Sequence, residues 1–370
     1  MANIQKRPDG KWRARYRDAA KKEHSRHFTR KIDAQKWLDE VTTSKLTGAY
    51  VDPRRSKETV GSMAATWLAS NPDWTASTRS RNTGIAENYI KPRWENMALR
   101  DVTHEDIQEW VGSIDRAGGT VRKIAGVLSS ILDLAVISRR LAVNPAASVK
   151  LPKQDLKPRQ YLSAAQVERM AAAAGQGRDV VLVLAYTGLR FGELAALKVR
   201  SVDQLRRRFM IEESVTDVDG ELHWGTPKDH QRRSVPYPKF LAEDIAARMK
   251  GKKPDDLLFP TNRGAVMRVV NARRDWFDRA AVKAGVKVTP HELRHTAASL
   301  AVKAGASVLA LQRMLGHDKP STTLDVYADL FDEDLDDVAE RLATVRASGV
   351  ADYLRTKPEL VDGKRLQEAL

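Results

Sequence analysis

A chain of 370 residues with 42% hydrophobic and 30% charged residues has room for two or three globular domains, which excludes disordered and fibrous classes. Its 63 Lys and Arg outnumber its 48 Asp and Glu, and the resulting net charge of +15 points to a polyanionic partner, most often nucleic acid. With no cysteine, disulfides, thiolate metal sites and cysteine nucleophiles are excluded. No apolar run approaches the roughly 20 residues of a membrane span, and the charged N-terminus lacks the apolar run of a signal peptide. A cytoplasmic protein away from membranes is expected.

The charge is uneven: residues 1–60 hold 16 Lys and Arg against 8 Asp and Glu, more than half of the whole excess. Trp12, Ala14 and Tyr16 alternate with Arg13, Arg15 and Arg17. That is the period of a strand with one apolar and one cationic face, and three arginines on one face suit contact with phosphates. Lys21 and Lys22 are counted to the same DNA-binding surface. A second strand is predicted over His24–Thr29. Thr29 is then placed to cap a helix carrying Ile32, Ala34, Trp37, Leu38 and Val41, ending near Gly48. A solvated basic face is the alternative; so many arginines projecting together favour nucleic acid.

Residues 61–150 read as all-helical, with breaks at Asp73–Ser77 and Arg116–Thr120. The clearest helix is predicted over Thr120–Leu141, where Val121, Ile124, Leu128, Ile131 and Ala135 form one apolar stripe, and the segment stops at Asn144–Pro145. The stripe is core packing. Pro152, Pro158 and two lysines mark Leu151–Arg159 as a linker. Beyond it, Ser163–Ala174 and Asp179–Lys198 are predicted helices. Phe209–Trp224 is a hairpin turning at Asp219–Gly220, and Arg233–Val235 is a further strand. Helices return from Asn271, and the acidic stretch Phe331–Glu340 starts the last one. The expected fold is therefore multidomain: a small α+β N-terminal domain (1–60), an all-α helical bundle (61–150), a mixed, mainly-α domain with a small antiparallel sheet (151–345), and a tail (346–370).

Four patterns in the third domain could carry chemistry. Thr187-Gly188-Leu189-Arg190-Phe191-Gly192-Glu193-Leu194 places Arg190 and Glu193 three apart in an apolar helix; taken alone, this reads as a structural ion pair. Thr226 to Arg233 is a basic turn containing Lys228, and such turns are common. His291-Glu292-Leu293-Arg294-His295 opens a helix after Pro290. Read literally it is H-E-x-x-H, the zinc-protease signature with Glu292 as base. Read as H-x-x-R, it lets His291 and Arg294 hold an anion together. Against zinc, an arginine next to a ligand histidine would repel the metal. Last come Leu315-Gly316-His317 and, ten residues on, Tyr327, which by itself would be core packing.

Taken in order, Arg190, Lys228, His291-x-x-Arg294, His317 and Tyr327 resemble the tyrosine recombinase family, the phage-integrase group of site-specific DNA recombinases. T-G-L-R-x-x-E-L, H-x-L-R-H-T and L-G-H followed by a tyrosine carry the resemblance across most of the third domain. Asp229 departs from the small polar residue that relatives often carry after the lysine. The two preceding domains look like arm-type and core-binding DNA domains by architecture alone.

The resemblance implies metal-free, cofactor-free strand cleavage at attachment sites. Tyr327 would be the nucleophile that forms a 3′-phosphotyrosine, and Arg190 and Arg294 would clamp the phosphate. Lys228 would act as general acid, with His291 and His317 assisting and Glu193 and His295 supporting. It also implies strand exchange through a Holliday junction by a homotetramer on double-stranded DNA of core and arm type. The tail would pack on a neighbouring protomer, and a host DNA-bending protein and a directionality factor would take part. The alternatives are a resolvase or transposon recombinase of the same chemistry, a catalytically inactive DNA-binding relative and, remotely, the zinc metalloprotease.

Overall fold

The computed structural model describes residues 3–18, 21–46, 55–154, 159–227, 232–330 and 335–356. The chain divides into two compact units, Met1–Lys157 and Pro158–Leu370.

The first unit opens with three antiparallel strands, β1 (Asn3–Lys6), β2 (Trp12–Arg17) and β3 (Glu23–Phe28), followed by helix α1 (Lys31–Leu46). The period-two pattern of β2 explains its two faces. Ala14 and Tyr16 are buried with Ala34 and Leu38 of α1, while Arg13, Arg15 and Arg17 project from the other side. The helix start differs from expectation. Arg30 precedes the first turn and its guanidinium holds Asp33 at 2.9 Å, so Thr29 lies one residue too early to cap. Ile32 points to solvent, being 70% exposed, because the buried stripe runs through Ala34 and Leu38. Gly48 lies outside the described residues.

A helical bundle follows: α2 (Val60–Ala69), α3 (Ala76–Ile85), which runs through a π-helical turn into α4 (Lys91–Trp94), then α5 (His104–Ser113) and α6 (Gly118–Ile137). All five residues of the predicted α6 stripe are buried in its core, where Trp94 packs edge-on to Trp110 with ring centroids 5.6 Å apart. The Gly118–Gly119 pair begins α6 instead of interrupting the chain, since the Val121 amide already bonds the Ala117 carbonyl. The helix ends four residues early because Arg139 takes left-handed backbone (φ 57°) and the Arg140 amide folds back to the Ala135 carbonyl at 2.7 Å.

The second unit is mainly helical with small antiparallel sheets. Helix α7 (Ala164–Ala173) is capped by Ser163, whose partner in the capping box is Gln166. The predicted Asp179–Lys198 helix is in fact two, α8 (Arg178–Thr187) and α9 (Phe191–Ala196). Gly188 separates them in left-handed conformation (φ 67°), and a Cβ there would stand 2.6 Å from the Leu315 side chain. Strands β4 (Val202–Asp203) and β5 (Arg208–Ile211) precede the hairpin of β6 (Ser214–Val218) and β7 (Glu221–Gly225), whose turn is Asp219–Gly220. The hairpin is shorter than expected, because β5 pairs instead with β4 and with β8 (Arg233–Pro236).

Helices return earlier than Asn271, with α10 (Ala242–Met249). Then come α11 (Val269–Ala272), joined by a π-helical turn to α12 (Asp278–Lys283), α13 (Pro290–Lys303), α14 (Val308–Leu315), α15 (Pro320–Tyr327) and α16 (Leu335–Thr356). The core gathers α7, α8 and α12 around Phe209, Phe259, Phe277 and Leu293. Residues 331–334 of the acidic stretch and residues 357–370 of the tail lie outside the described residues. Among the described residues, no helix is long and apolar enough to cross a membrane.

Candidate active site

Arg190, Glu193, His291, Arg294, His295, His317 and Tyr327 all fall in the second unit, on or beside α9, α13, α14 and α15. Lys228 lies outside the described residues.

The split between α8 and α9 changes what Arg190 is. It stands at the N-cap of α9, not inside a helix, with its backbone amide on Glu193 Oε2 at 2.9 Å and its Nη1 on Glu193 Oε1 at 3.0 Å. Glu193 is buried, and burial alone would raise its pKa. Hydrogen bonds and charge from Arg233, joined by Arg190, outweigh that and hold its carboxyl below the usual range.

Arg294 is also buried. Its Nη1 donates to the Gly188 carbonyl and its Nη2 to the Leu315 carbonyl, both at 2.6 Å, so one guanidinium joins the C-terminal ends of α8 and α14. Those ends carry unsatisfied carbonyls and the negative pole of the helix dipole, which a cation complements. Burial, then the neighbouring charge of Arg190, pushes the Arg294 guanidinium down to about 10.

Tyr327 ends α15 and packs among Ala298, Val302, Leu311 and Leu315, with only 1% of its surface exposed. Its hydroxyl lies 2.8 Å from His295 Nδ1. Burial raises the phenol to about 12, partly opposed by the Arg294 charge. His295 is pushed down to about 4, by burial first and then by the positive neighbours His291, Arg159 and Arg294. The pair is therefore a neutral imidazole against a protonated phenol at neutral pH. His317 stacks parallel to the Tyr327 ring, centroids 6.3 Å apart, and its Nδ1 meets Thr323 Oγ1 at 2.9 Å.

His291 is exposed and packs edge-on to His295. It borders an open groove of about 590 Å³ lined also by Phe191, Arg273, Arg274 and Thr289. Glu292 is held at the start of α13 and not presented to a metal-bound water as a zinc-protease base would be. Its carboxylate accepts from the Thr289 amide at 2.6 Å, closing the capping box of α13. Among the described residues, no group of three His, Cys, Asp or Glu is placed to hold a metal ion.

One residue of the cluster, Arg233, stands in the sequence reading only as the end of the basic turn and the start of a strand, with no role at the site. Arg233 opens β8, and its two Nη atoms donate to the two oxygens of Glu193 at 2.9 and 2.7 Å. Strand alternation with the buried Val235 was the available signal, since residues two apart share a face. In the first unit, Arg13 and Arg15 share the Glu23 carboxylate at 3.3 and 3.8 Å, Arg17 is exposed, and Lys21 and Lys22 occupy the turn between β2 and β3.

This arrangement can hold a phosphate between guanidinium groups beside a buried phenol. Comparisons with known proteins show what the whole chain is similar to. The model of the phage integrase family matches residues 160–334, and that of the phage integrase central domain matches residues 60–151. The integrase of Mycobacterium phage L5 is 26% identical over 311 residues, covering 79% of this chain and 83% of that protein. Tyrosine recombinase XerA of Saccharolobus solfataricus is 28% identical over 249 residues, covering 65% of this chain and 78% of its own. Among solved structures, the Tn1549 transposon integrase with transposon right end DNA shares the fold at a TM-score of 0.67 and 21% identity, over 76% of this chain and 100% of that one. A lambda integrase tetramer bound to a Holliday junction does so at 0.57 and 20% identity, over 86% and 96%.

Proposed function

We propose, from the premise that this chain belongs to the phage integrase family of tyrosine recombinases, that it joins DNA attachment sites by cutting and resealing strands through Tyr327. The observation that carries this reading is the convergence of Arg294, His295 and His317 on one buried tyrosine, with the Arg190 guanidinium close enough to Arg294 to act on its charge.

In the cleavage step the Tyr327 oxygen attacks the scissile phosphorus as its proton passes to His291. The bond to the 5′-oxygen breaks, and that oxygen takes up a proton from Lys228 as general acid. Arg190 and Arg294 neutralise the non-bridging oxygens as charge builds; one such donor is worth on the order of a hundredfold to a thousandfold in rate. His291 assists proton transfer and His317 bonds the phosphate. The 3′-phosphotyrosine conserves the bond energy, so attack by another 5′-hydroxyl reseals the strand and generates a Holliday junction.

The acting species on double-stranded DNA is a homotetramer. Residues 1–60 take the arm-type site through Arg13, Arg15, Arg17, Lys21 and Lys22, residues 61–150 bind the core-type site, and residues 151–345 cut. The tail from residue 346 packs on the neighbouring protomer, and a host DNA-bending protein and a directionality factor set the direction of the reaction in the cytoplasm. The +15 net charge and its concentration in the first 60 residues support a DNA partner with two classes of contact. The test is incubation with a pool of nicked duplexes carrying a randomised window, followed by recovery of detergent-stable protein–DNA adducts. Recovery of one enriched sequence is expected, and no adduct from any duplex would overturn the reading.

A further inference from the structure

Arg233 has no part in the chemistry above, yet its side chain is only 8% exposed and ties together the elements that carry that chemistry. Its Nη1 and Nη2 grip both oxygens of Glu193, at 2.9 and 2.7 Å. Its Nε faces the Met314 carbonyl at 3.3 Å, in the last turn of α14. Gly316 lies across the same guanidinium, where a Cβ would come within 2.7 Å of Arg233 Cδ. The plane of Arg233 is thus fixed from three sides.

Glu193 is shared between two arginines. Arg233 meets it through both Nη nitrogens, one on each oxygen, whereas the Arg190 guanidinium meets it through Nη1 on one oxygen. A carboxylate open on both oxygens draws a guanidinium into a bidentate pair, which is the stronger geometry. With Arg233 in place, that geometry is already occupied. We infer that Arg233 is a positioning residue which, by holding both oxygens of Glu193, keeps the Arg190 guanidinium on a single contact and turned toward the phosphate instead of paired flat against the carboxylate. The inference rests on the recombinase reading, because it presumes that Arg190 neutralises a scissile phosphate.

The experiment compares full-length wild type with Arg233→Met on the enriched duplex, carrying at the scissile position either the natural phosphodiester or a methylphosphonate. A methyl group in place of one non-bridging oxygen removes the charge that Arg190 serves. On the phosphodiester, adduct formation by Arg233→Met should fall on the order of a hundredfold, as for a displaced catalytic group, while DNA affinity is unchanged. On the methylphosphonate the gap between variant and wild type should close. Arg233→Lys, which restores the charge but grips Glu193 through one nitrogen, should lie between the two. If Arg233→Met has no cooperative melting transition, Arg233→Lys carries the same two-substrate comparison. Equal rates on the phosphodiester overturn the inference, as does a gap of the same size on both substrates, which would mark Arg233 as merely structural. Failure of wild type to form any adduct overturns the recombinase reading instead.

Discussion

The Tyr327 hydroxyl rests 2.8 Å from Nδ1 of His295, so the phenol is held by the histidine that follows Arg294 in sequence, with His291 one step further out behind it. With the imidazole near 4 and the phenol near 12, proton transfer within this pair is strongly uphill. The contact is a rest for the protonated phenol.

The first prediction is a pH dependence of stability. His295 binds a proton more weakly folded than unfolded, so between about 6.5 and about 4 the unfolded state holds more protons and stability falls as pH falls. Melting temperature should therefore drop on acidification through that window, and drop less steeply in His295→Gln. Parallel curves for the two proteins would show that His295 does not titrate as its surroundings dictate. Tyr327 has the opposite sign: its raised value gives stability present below about pH 10 and lost toward 12.

Tyr327→Phe should bind DNA as wild type does and form no detergent-stable adduct. Removing the hydroxyl leaves His295 Nδ1 without this partner, at a cost of about 1–3 kcal/mol, measurable by denaturant titration. An adduct that persists in the variant would place the nucleophile on another residue.

Arg294 and Arg190 should separate by stability. Arg294→Lys cannot span the Gly188 and Leu315 carbonyls with one nitrogen, so it should lose about 1–3 kcal/mol as well as cleavage. Arg190 keeps 23% of its side chain exposed, so Arg190→Lys should lose cleavage with little change in the denaturation midpoint. Equal destabilisation of both variants would contradict the contrast between a buried tie and a facing clamp.

For the N-terminal module the expected outcome concerns salt. A fragment beginning at Thr59 should still cleave core-type DNA and fail on a substrate that also needs the arm-type site. The isolated module should bind DNA with a log–log salt slope of roughly −3 to −5, as a few arginine–phosphate contacts require. Glu23→Gln, which frees Arg13 and Arg15 from their shared carboxylate, should tighten that binding. Equal recombination by the fragment and the full chain would reduce the strand to a solvated basic face.

Much of the fold was legible because local periodicity reports burial directly. The alternation of β2, the α6 stripe and the helix opening at Ser163 each depend on residues no more than a few positions apart, and each stands as read. The motif order was legible for the same reason, since T-G-L-R-x-x-E-L and H-x-L-R-H-T are local strings.

The sequence by itself determined the residue types of the site, their order and the basic character of the first 60 residues. Only the tertiary structure decided that Arg190 stands at the N-cap of α9, because α8 ends at Gly188 in left-handed backbone (φ 67°), where the Leu315 side chain leaves no room for a Cβ. Packing alone also decided that His295 meets Tyr327 across 32 residues and that Arg233 meets Glu193 across 40. Spacing along a chain names neighbours on one helix or strand face. It carries no information about which histidine or arginine a second element will bring to the same buried oxygen, since that depends on how whole helices pack.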